Sequence, residues 1–257
     1  MVINWPFVII AFIIIVYTLK TNQHIFEETQ KTYFNPNCVN LFWTGGYDST
    51  FRLLQLVLIE NKCVNPIYLN FDGLDGINIR RKNIQYELDA MEKIINELHN
   101  MGYGKLINPL TIVTHVELGD EVLASTIQLY KDGHLRRPVS QYAHMLQFSL
   151  DQNIIIEEGA EKSTHSTSYK MITPYLNKNK MVDINKIKNR PELYVIRNLR
   201  FPIIDLTKKD MLNIAKKHNF DYILNFTKSC WHPLKTGAPC MLCGMCKDRV
   251  IQENFIS

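Results

Sequence analysis

The sequence lacks any strong excess of one charge. Its 257 residues include 29 lysines and arginines and 25 aspartates and glutamates, a net charge of +4, so a dedicated nucleic-acid binder is not indicated. One group of cations could contact a nucleic acid, although a solvated lysine-rich loop explains it as well: Lys178, Lys180, Lys186, Lys188 and Arg190. With 46% hydrophobic residues the chain can bury a full core, and its length fits one α/β domain with an appendage.

Residues 1–19 contain no charged side chain. A helix of this length extends about 28 Å, close to the roughly 30 Å hydrocarbon core of a bilayer, so a single membrane span is predicted. No basic stretch precedes it and no small-residue cleavage site follows, which disfavours a removable signal peptide. Lys20 favours a cytoplasmic location for the rest of the chain. The alternative is a hydrophobic element of the folded domain, and residues 20–36 are predicted to be a linker.

A turn at residues 43–50 lacks the lysine of a Walker P-loop, which disfavours an ordinary NTPase. Its sequence is Trp-Thr-Gly-Gly-Tyr-Asp-Ser-Thr. The turn follows a short apolar run at residues 39–43 and leads into a helix-forming stretch at residues 49–60. A double glycine alone more often marks a tight turn, but Gly-Gly-x-Asp-Ser between a buried strand and a helix predicts a phosphate-binding loop.

The residue types in this turn suit an anion. Gly45 and Gly46 let the chain turn sharply and let backbone N–H groups approach a phosphate. The following helix directs its unpaired N–H groups and the positive end of its dipole at the same point. Ser49 and Thr50 add hydroxyl groups, and Asp48 could cap the helix or hold a magnesium ion.

Strands alternate with helices along the rest of the chain. This order predicts a doubly wound, mostly parallel α/β sheet with right-handed crossovers. Thr207 is predicted to cap a helix, with Asp210 three residues later. Residues 171–199 show no clear periodicity. The predicted strands are residues 39–43, 64–71, 110–116 and 153–158, and the predicted helices are residues 49–60, 77–100, 118–130 and 142–150.

Three further polar features lie at predicted strand ends or between helices. Asp72 follows the second strand and could hold a ribose or magnesium, although a turn-forming Asp-Gly explains it as well. Arg136 and Arg137 suit phosphate or carboxylate contacts, or are plain surface residues. The hydroxyl-rich residues 163–168 follow the fourth strand and could recognise a polar substrate or satisfy loop backbone.

Four of the six cysteines lie within seventeen residues near the end of the chain. Their spacing, C-x9-C-x2-C-x2-C, predicts a closed tetrahedral zinc site made by Cys230, Cys240, Cys243 and Cys246. An iron–sulfur cluster and redox-active thiols are the alternatives, and a disulfide is disfavoured in a domain that is predicted to be cytoplasmic. His232 could replace a thiolate, but four cysteines suffice. Cys38 and Cys63 are interpreted as small buried hydrophobes.

The loop resembles the pyrophosphate loop of the N-type ATP pyrophosphatases, with Thr44 in place of the usual first serine. Together with the cysteine cluster, it makes the chain resemble the 7-cyano-7-deazaguanine synthases of queuosine-precursor biosynthesis. This resemblance runs over residues 39–249. The matching residues are the loop itself, Phe71 and Asp72, Arg81, Glu87 and Ala90, residues 202–208, Ser229, Cys230 and Trp231, then Cys240, Cys243, Cys246 and Arg249.

The resemblance implies an ATP-dependent ligase. In that family the carboxylate of 7-carboxy-7-deazaguanine is adenylated, ammonia displaces AMP, and a second activation dehydrates the amide to a nitrile. It implies ATP, Mg²⁺ and structural Zn²⁺ as cofactors, with Asp48, Ser49 and Lys208 as catalytic residues. The implied nucleotide contacts are Trp43, Thr44, Gly45, Gly46, Tyr47, Asp48, Ser49, Thr50, Phe51, Arg52, Leu53 and Asp72.

The chain also departs from the family pattern. The family's Arg-Asn pair after Pro-Gly is absent at residues 137–140, residues 163–168 hold no acidic residue, and an N-terminal membrane segment is foreign to the family.

The alternatives are another adenylating enzyme of this superfamily, tRNA-modifying or amidating, and a membrane-tethered protein that binds nucleotide without turnover. Nucleic acid is otherwise not expected, and a homodimer is an open alternative. The predicted domains are a membrane segment, a linker, a catalytic domain at residues 37–224 and a zinc subdomain at residues 225–257.

Overall fold

A five-stranded parallel sheet carries the fold in the computed structural model, which describes residues 34–70, 83–135, 137–163 and 167–247. The strand order is β3-β2-β1-β4-β5, and all four strand pairings are parallel. The predicted parallel α/β sheet is therefore confirmed. The strands are β1 (Val39–Phe42), β2 (Val64–Leu69), β3 (Thr111–Val113), β4 (Ile156–Glu157) and β5 (Leu199–Arg200).

The helices connect these strands close to where the sequence predicts them. Short 3₁₀ turns at Gly104–Leu106, Thr173–Tyr175 and Pro191–Ile196 complete the connections. Thr207 and Asp210 form the predicted capping box at the start of one helix. The helices are α1 (Tyr47–Leu54, continued by a π-helical turn at Gln55–Ile59), α2 (Ile84–Asn100), α3 (Asp120–Lys131), α4 (Gln141–Asp151), α5 (Thr167–Ile172), α6 (Lys208–Lys217) and α7 (Asp221–Leu224).

The central strands are buried on both faces, which explains their nearly continuous apolar sequences. Successive side chains of a strand point to opposite faces. Accordingly Leu41 and Tyr68 belong to one buried cluster, whereas their neighbours Phe42 and Ile67 belong to the other. Every residue of β2 is buried. A core on each face of the sheet is the layered arrangement expected of a doubly wound fold.

The fifth strand lies in the region where the sequence shows no periodic pattern. The 3₁₀ helix Pro191–Ile196 leads into β5, which is only two residues long. Leu193, Val195 and Leu199 are nevertheless fully or almost fully buried. Such short elements leave too few residues for a hydrophobic period to appear.

Cys38 and Cys63 form a disulfide, so their interpretation as unpaired buried residues is wrong. Each cysteine directly precedes a central strand, and the parallel register pairs Val39 with Val64. This register brings the two cysteines side by side, with their Cα atoms 4.7 Å apart. The distance lies within the range that a disulfide requires.

The predicted single-pass membrane location must be corrected. Within the four stretches that the structure describes, no helix is long and apolar enough to cross a bilayer. The longest, α2, has 17 residues and an amphipathic pattern in which Met91 and Ile94 are buried while Glu92 and Lys93 are exposed. Residues 1–19, on which the prediction rested, lie outside the described residues. The described residues belong to one compact unit that begins at Phe34.

Candidate functional site

The loops that follow β1 and β4 meet at one edge of the sheet. The strand order reverses between these two neighbours, and open α/β sheets bind ligands in the crevice at such a point. The β4 loop passes directly over the start of α1, because a Cβ atom on Gly159 would lie 2.8 Å from the Ser49 backbone nitrogen. The predicted phosphate loop therefore lies at the edge where the fold places a ligand.

The conformation of the loop requires its first glycine. Gly45 has φ +66°, and a Cβ atom there would lie 2.8 Å from the carbonyl oxygen of Glu87. Gly46 is the N-cap of α1 and supplies no side-chain capping bond. The Ser49 hydroxyl lies 3.3 Å from both the Thr44 nitrogen and the Thr44 hydroxyl. The backbone turn and its two hydroxyl groups thus face the N-terminus of α1, where an anion is favoured.

Several of the predicted nucleotide contacts pack beneath the loop. Trp43, Thr50, Phe51 and Leu53 have no exposed surface, and the Trp43 indole N–H donates to the Thr50 hydroxyl at 3.0 Å. Tyr47 is also buried. The four fully buried residues support the loop from the core and present no exposed surface to a ligand in this structure.

Arg52 joins α1 to β4. Its Nε donates to Glu157 Oε2 at 2.7 Å, and Glu60 is a second carboxylate partner. Burial lowers the pKa of Arg52, but the bonds and charges of Glu157 and Glu60 outweigh it and raise that pKa. The Arg52 side chain is therefore engaged in the interior rather than in the loop. Sequence reasoning missed Glu157, which is 2% exposed.

Lys208, the first residue of α6, brings two parts of the site together. Its Nζ lies 3.2 Å from Asp48 Oδ1 and also pairs with Glu161. Burial disfavours the charged form, but Asp48 and Glu161 outweigh it and raise the pKa of Lys208. The structure thus places two predicted catalytic residues in contact. Glu161 was missed, although its position after the fourth strand marks the same sheet edge.

Glu158 is a third acidic residue that sequence reasoning missed. It follows β4 and lines a small cavity of about 20 Å³ together with Leu135, Tyr142 and Met171. Its backbone N–H donates to Arg200 O at 2.9 Å. Burial raises the pKa of its carboxyl group to about 7. A carboxyl in mainly apolar surroundings beside the crevice is thus poised to change charge near neutral pH.

The four predicted metal ligands come together. All four Sγ atoms lie within 4.8 Å of one another, with 3.9 Å between Cys240 and Cys246 and 4.0 Å between Cys243 and Cys230. Zinc–sulfur bonds of about 2.3 Å in a tetrahedron require sulfur atoms about 3.8 Å apart. The cluster therefore fits a zinc ion, and His232 does not belong to this group.

The surroundings of the sulfur atoms favour the thiolate form of one cysteine, Cys240. The backbone N–H groups of Leu242 and Cys243 donate to Cys240 Sγ, and these bonds lower the pKa of Cys240 to about 6. Burial raises the pKa of Cys246 to about 12 and also raises that of Cys230. A metal must therefore displace protons from the other thiols, as zinc does at such sites.

The segment before the cluster contacts the phosphate loop. The Lys228 N–H donates to Gly45 O at 2.9 Å, and the Tyr47 N–H donates to the Ser229 hydroxyl oxygen at 3.2 Å. On the other side, the Tyr86 hydroxyl on α2 donates to Lys235 O at 3.2 Å. The cluster segment is thus attached both to the loop and to α2.

For Arg137 and the lysine-rich region, which the sequence also offers as candidate site residues, the structure gives no contact with the phosphate loop or the cysteine cluster among the residues that it describes. Asp72, Arg136 and residues 164–166 are outside the described residues, and Arg137 is exposed. Cations of the lysine-rich region have local partners: Lys180 pairs with Asp205, Arg190 with Glu192 and Asp132, and Lys186 donates to Leu176 O. These contacts favour the interpretation of that region as an ordinary folded surface.

Comparison with known protein families gives a match in the C-terminal part of the chain. Residues 163–254 match the family described as queuosine biosynthesis protein QueC. This match confirms the predicted resemblance to the 7-cyano-7-deazaguanine synthase family over the C-terminal part of the chain. It includes Lys208 and the four cysteines and does not extend to the loop at residues 43–50. No curated protein matches the chain significantly.

Proposed function

We propose that the protein is an ATP-dependent ligase that converts 7-carboxy-7-deazaguanine and ammonia to 7-cyano-7-deazaguanine, because residues 163–254 match the QueC family. One observation carries the proposal. Lys208, inside the family match, contacts Asp48 of the phosphate loop, which is outside it. A residue from the matched part of the chain and a residue of the phosphate loop therefore lie together at the crevice of the sheet.

The reaction consumes ATP in two activations. The substrate carboxylate attacks the α-phosphorus of ATP, and the bond to the β-phosphate breaks to release pyrophosphate. Ammonia then attacks the acyl carbon, and AMP leaves with loss of a proton to give the amide. The amide oxygen attacks a second ATP, pyrophosphate leaves again, and loss of AMP and two protons gives the nitrile.

The loop would hold the pyrophosphate portion of ATP. Backbone N–H groups and the helix dipole stabilise the charge that develops on the leaving pyrophosphate. Gly45 and Gly46 allow the close approach, and the Ser49 hydroxyl is positioned beside Thr44 to donate to a phosphate oxygen. Catalysis by these groups consists of positioning and charge stabilisation.

Lys208 would contact the phosphates from its position beside Asp48, at the start of α6. Its charged form is secured by Asp48 and Glu161, and its side chain is only 8% exposed. A buried ammonium group offers a stronger interaction to a phosphate oxygen than an exposed one. Magnesium, which neutralises phosphate charge when bound, would have the oxygen ligands that it prefers in Asp48 and Glu161. The zinc ion would be structural, because four thiolates leave no open position.

Product analysis tests the proposal. The full chain, purified with zinc, is incubated with Mg-ATP, ammonium and 7-carboxy-7-deazaguanine, and nitrile, amide and AMP are measured by mass spectrometry. Nitrile together with AMP is the expected result. If AMP forms only with tRNA or with another carboxylate, that molecule is the substrate in place of 7-carboxy-7-deazaguanine. Such a result would agree with the absence of an acidic residue at residues 163–168. Tight ATP binding without pyrophosphate release would contradict catalysis.

Lys208→Met provides the matched test of the site. The variant removes the ammonium group and keeps the length of the side chain, so AMP formation is expected to fall at least about 100-fold if this charge stabilises the transition state. Lys209→Met is the control, because Lys209 is exposed on the same helix turn. Equal activity of the two variants would remove Lys208 from the mechanism.

A further inference from the structure

Two neighbouring residues connect the cysteine cluster to the phosphate loop. Lys228 donates its backbone N–H to Gly45 O at 2.9 Å, and Ser229 accepts the Tyr47 N–H on its hydroxyl oxygen at 3.2 Å. Both residues directly precede the cluster cysteine Cys230. The loop and the cluster, 182 residues apart in sequence at the Tyr47–Ser229 contact, are thereby joined in the structure.

The Ser229 hydroxyl caps the N-terminus of α1 from outside the helix. The N-cap of α1 is Gly46, which has no side chain, and no side-chain capping bond is made there. The first backbone N–H groups of a helix need an acceptor, and the Ser229 hydroxyl supplies one to the Tyr47 N–H. Here the hydroxyl comes from a distant segment, so the start of α1 depends on where that segment lies.

The position of Ser229 depends in turn on the cluster. Residues 229–243 form no helix or strand, and their own backbone hydrogen bonds are those of one short turn, from Leu234 N–H to Ala238 O and from Gly237 N–H to Leu234 O. Cys240 N–H donates to Cys230 Sγ at 3.3 Å, and Tyr86 packs against Gly237, where a Cβ atom would lie 2.9 Å from the ring. A segment of this kind is ordered largely by the metal that its cysteines bind.

We propose that Ser229 is a positioning residue through which metal binding at the cysteine cluster sets the affinity of the phosphate loop for ATP. This inference rests on the proposed function of the loop. With the four thiolates bound to metal, Cys230 holds Ser229 against the Tyr47 N–H, and the first turn of α1 is arranged before the nucleotide arrives. Without metal the cap is lost. The loop must then be ordered when ATP binds, and the free energy that this requires lowers the affinity for ATP.

Three variants of the full chain test the coupling. The dissociation constant of Mg-ATP and the zinc content are measured for the wild type, Ser229→Ala and Ser229→Thr. We expect Ser229→Ala to weaken ATP binding about 3- to 10-fold, the value of one capping hydrogen bond, with zinc content unchanged. Ser229→Thr keeps the hydroxyl group and should restore most of the affinity.

Removal of zinc completes the test. In the wild type a chelator should weaken ATP binding at least as much as Ser229→Ala does, and in Ser229→Ala it should add little, because the cap is already absent. The same pattern is expected in the hydrogen exchange of the Tyr47 amide, measured without nucleotide, which should become about 3- to 10-fold faster in Ser229→Ala. This second measurement does not depend on ATP binding.

The outcomes separate the two proposals. Failure of the zinc-loaded wild type to bind Mg-ATP would overturn the proposed function, whereas the Tyr47 exchange would still report on the coupling. Wild-type affinity and exchange in zinc-loaded Ser229→Ala would overturn the coupling alone. Equal weakening of both proteins by the chelator would also overturn it, since the metal would then act by a route other than Ser229.

Discussion

Glu158→Gln should make the protein more stable at alkaline pH and leave its stability at acidic pH nearly unchanged. Burial beside the cavity raises the pKa of Glu158 to about 7, from an ordinary value of 4.5. At pH values between 4.5 and about 7, the Glu158 carboxyl group therefore keeps its proton in the folded protein and has lost it in the unfolded chain. Stability falls as pH rises through this window, and the neutral Gln side chain removes that fall.

The size of the effect follows from the shift. One pKa unit corresponds to about 1.4 kcal/mol, so the full shift would correspond to about 3 kcal/mol. Part of this difference is already present near pH 5, and Glu158 taken as a whole residue is half-buried rather than fully buried. Between about pH 5 and about pH 8 we therefore expect Glu158→Gln to gain roughly 1–2.5 kcal/mol of unfolding free energy relative to wild type.

Urea unfolding of the full chain at several pH values measures this difference. Glu117→Gln is the matched control, since Glu117 is an exposed glutamate and makes the same change of charge. Other titrating groups are common to all three proteins and cancel in the comparison. Parallel stability curves for wild type and Glu158→Gln would refute the assignment of a raised pKa, as would an equal gain in Glu117→Gln.

Three further outcomes are expected. The chain should bind about one zinc ion, lost in Cys243→Ser, and metal analysis that found iron and sulfide would contradict the zinc assignment. Gly45→Ala should abolish ATP binding, because its φ of +66° and the Glu87 oxygen 2.8 Å from the new Cβ oppose a side chain; Gly102→Ala, with φ +89° and nothing within 4 Å, should retain it. Replacement of Cys38 and Cys63 by serine should lower the unfolding free energy by about 3 kcal/mol, given the 25-residue separation, and an unchanged value in urea would argue against the disulfide.

The sequence predicted the elements whose signals are local. The glycine pair marked the turn between β1 and α1, the Thr207–Asp210 spacing marked a helix start, and the cysteine spacing marked a cluster. Each of these depends on residues that are close together in the chain. They were sufficient to locate the phosphate loop and the cysteine cluster, and the alternation of apolar strands with helices was sufficient for the parallel sheet.

The contacts between distant segments could not be predicted in this way. Glu161 meets Lys208 because two loops share a sheet edge, and Cys38 meets Cys63 because two strands pair in parallel register. Neither pairing has a sequence pattern of its own. The Cys38–Cys63 disulfide had one usable signal, since each cysteine stands immediately before a predicted strand, but the register of those strands had to be known.

The buried Arg52–Glu157 pair limits how the site can move. The pair joins α1 to β4, and both residues are buried: Glu157 is 2% exposed and Arg52 is 5% exposed. Separating a buried pair leaves an uncompensated charge at a cost of about 3–5 kcal/mol, so α1 cannot tilt away from β4 on binding a ligand. Closure around a nucleotide would therefore leave α1 in place against β4 and involve segments on the other side of the crevice, such as the start of α6 with Lys208. The Arg52–Glu157 pair thus gives the helix that follows the phosphate loop a fixed position in the sheet.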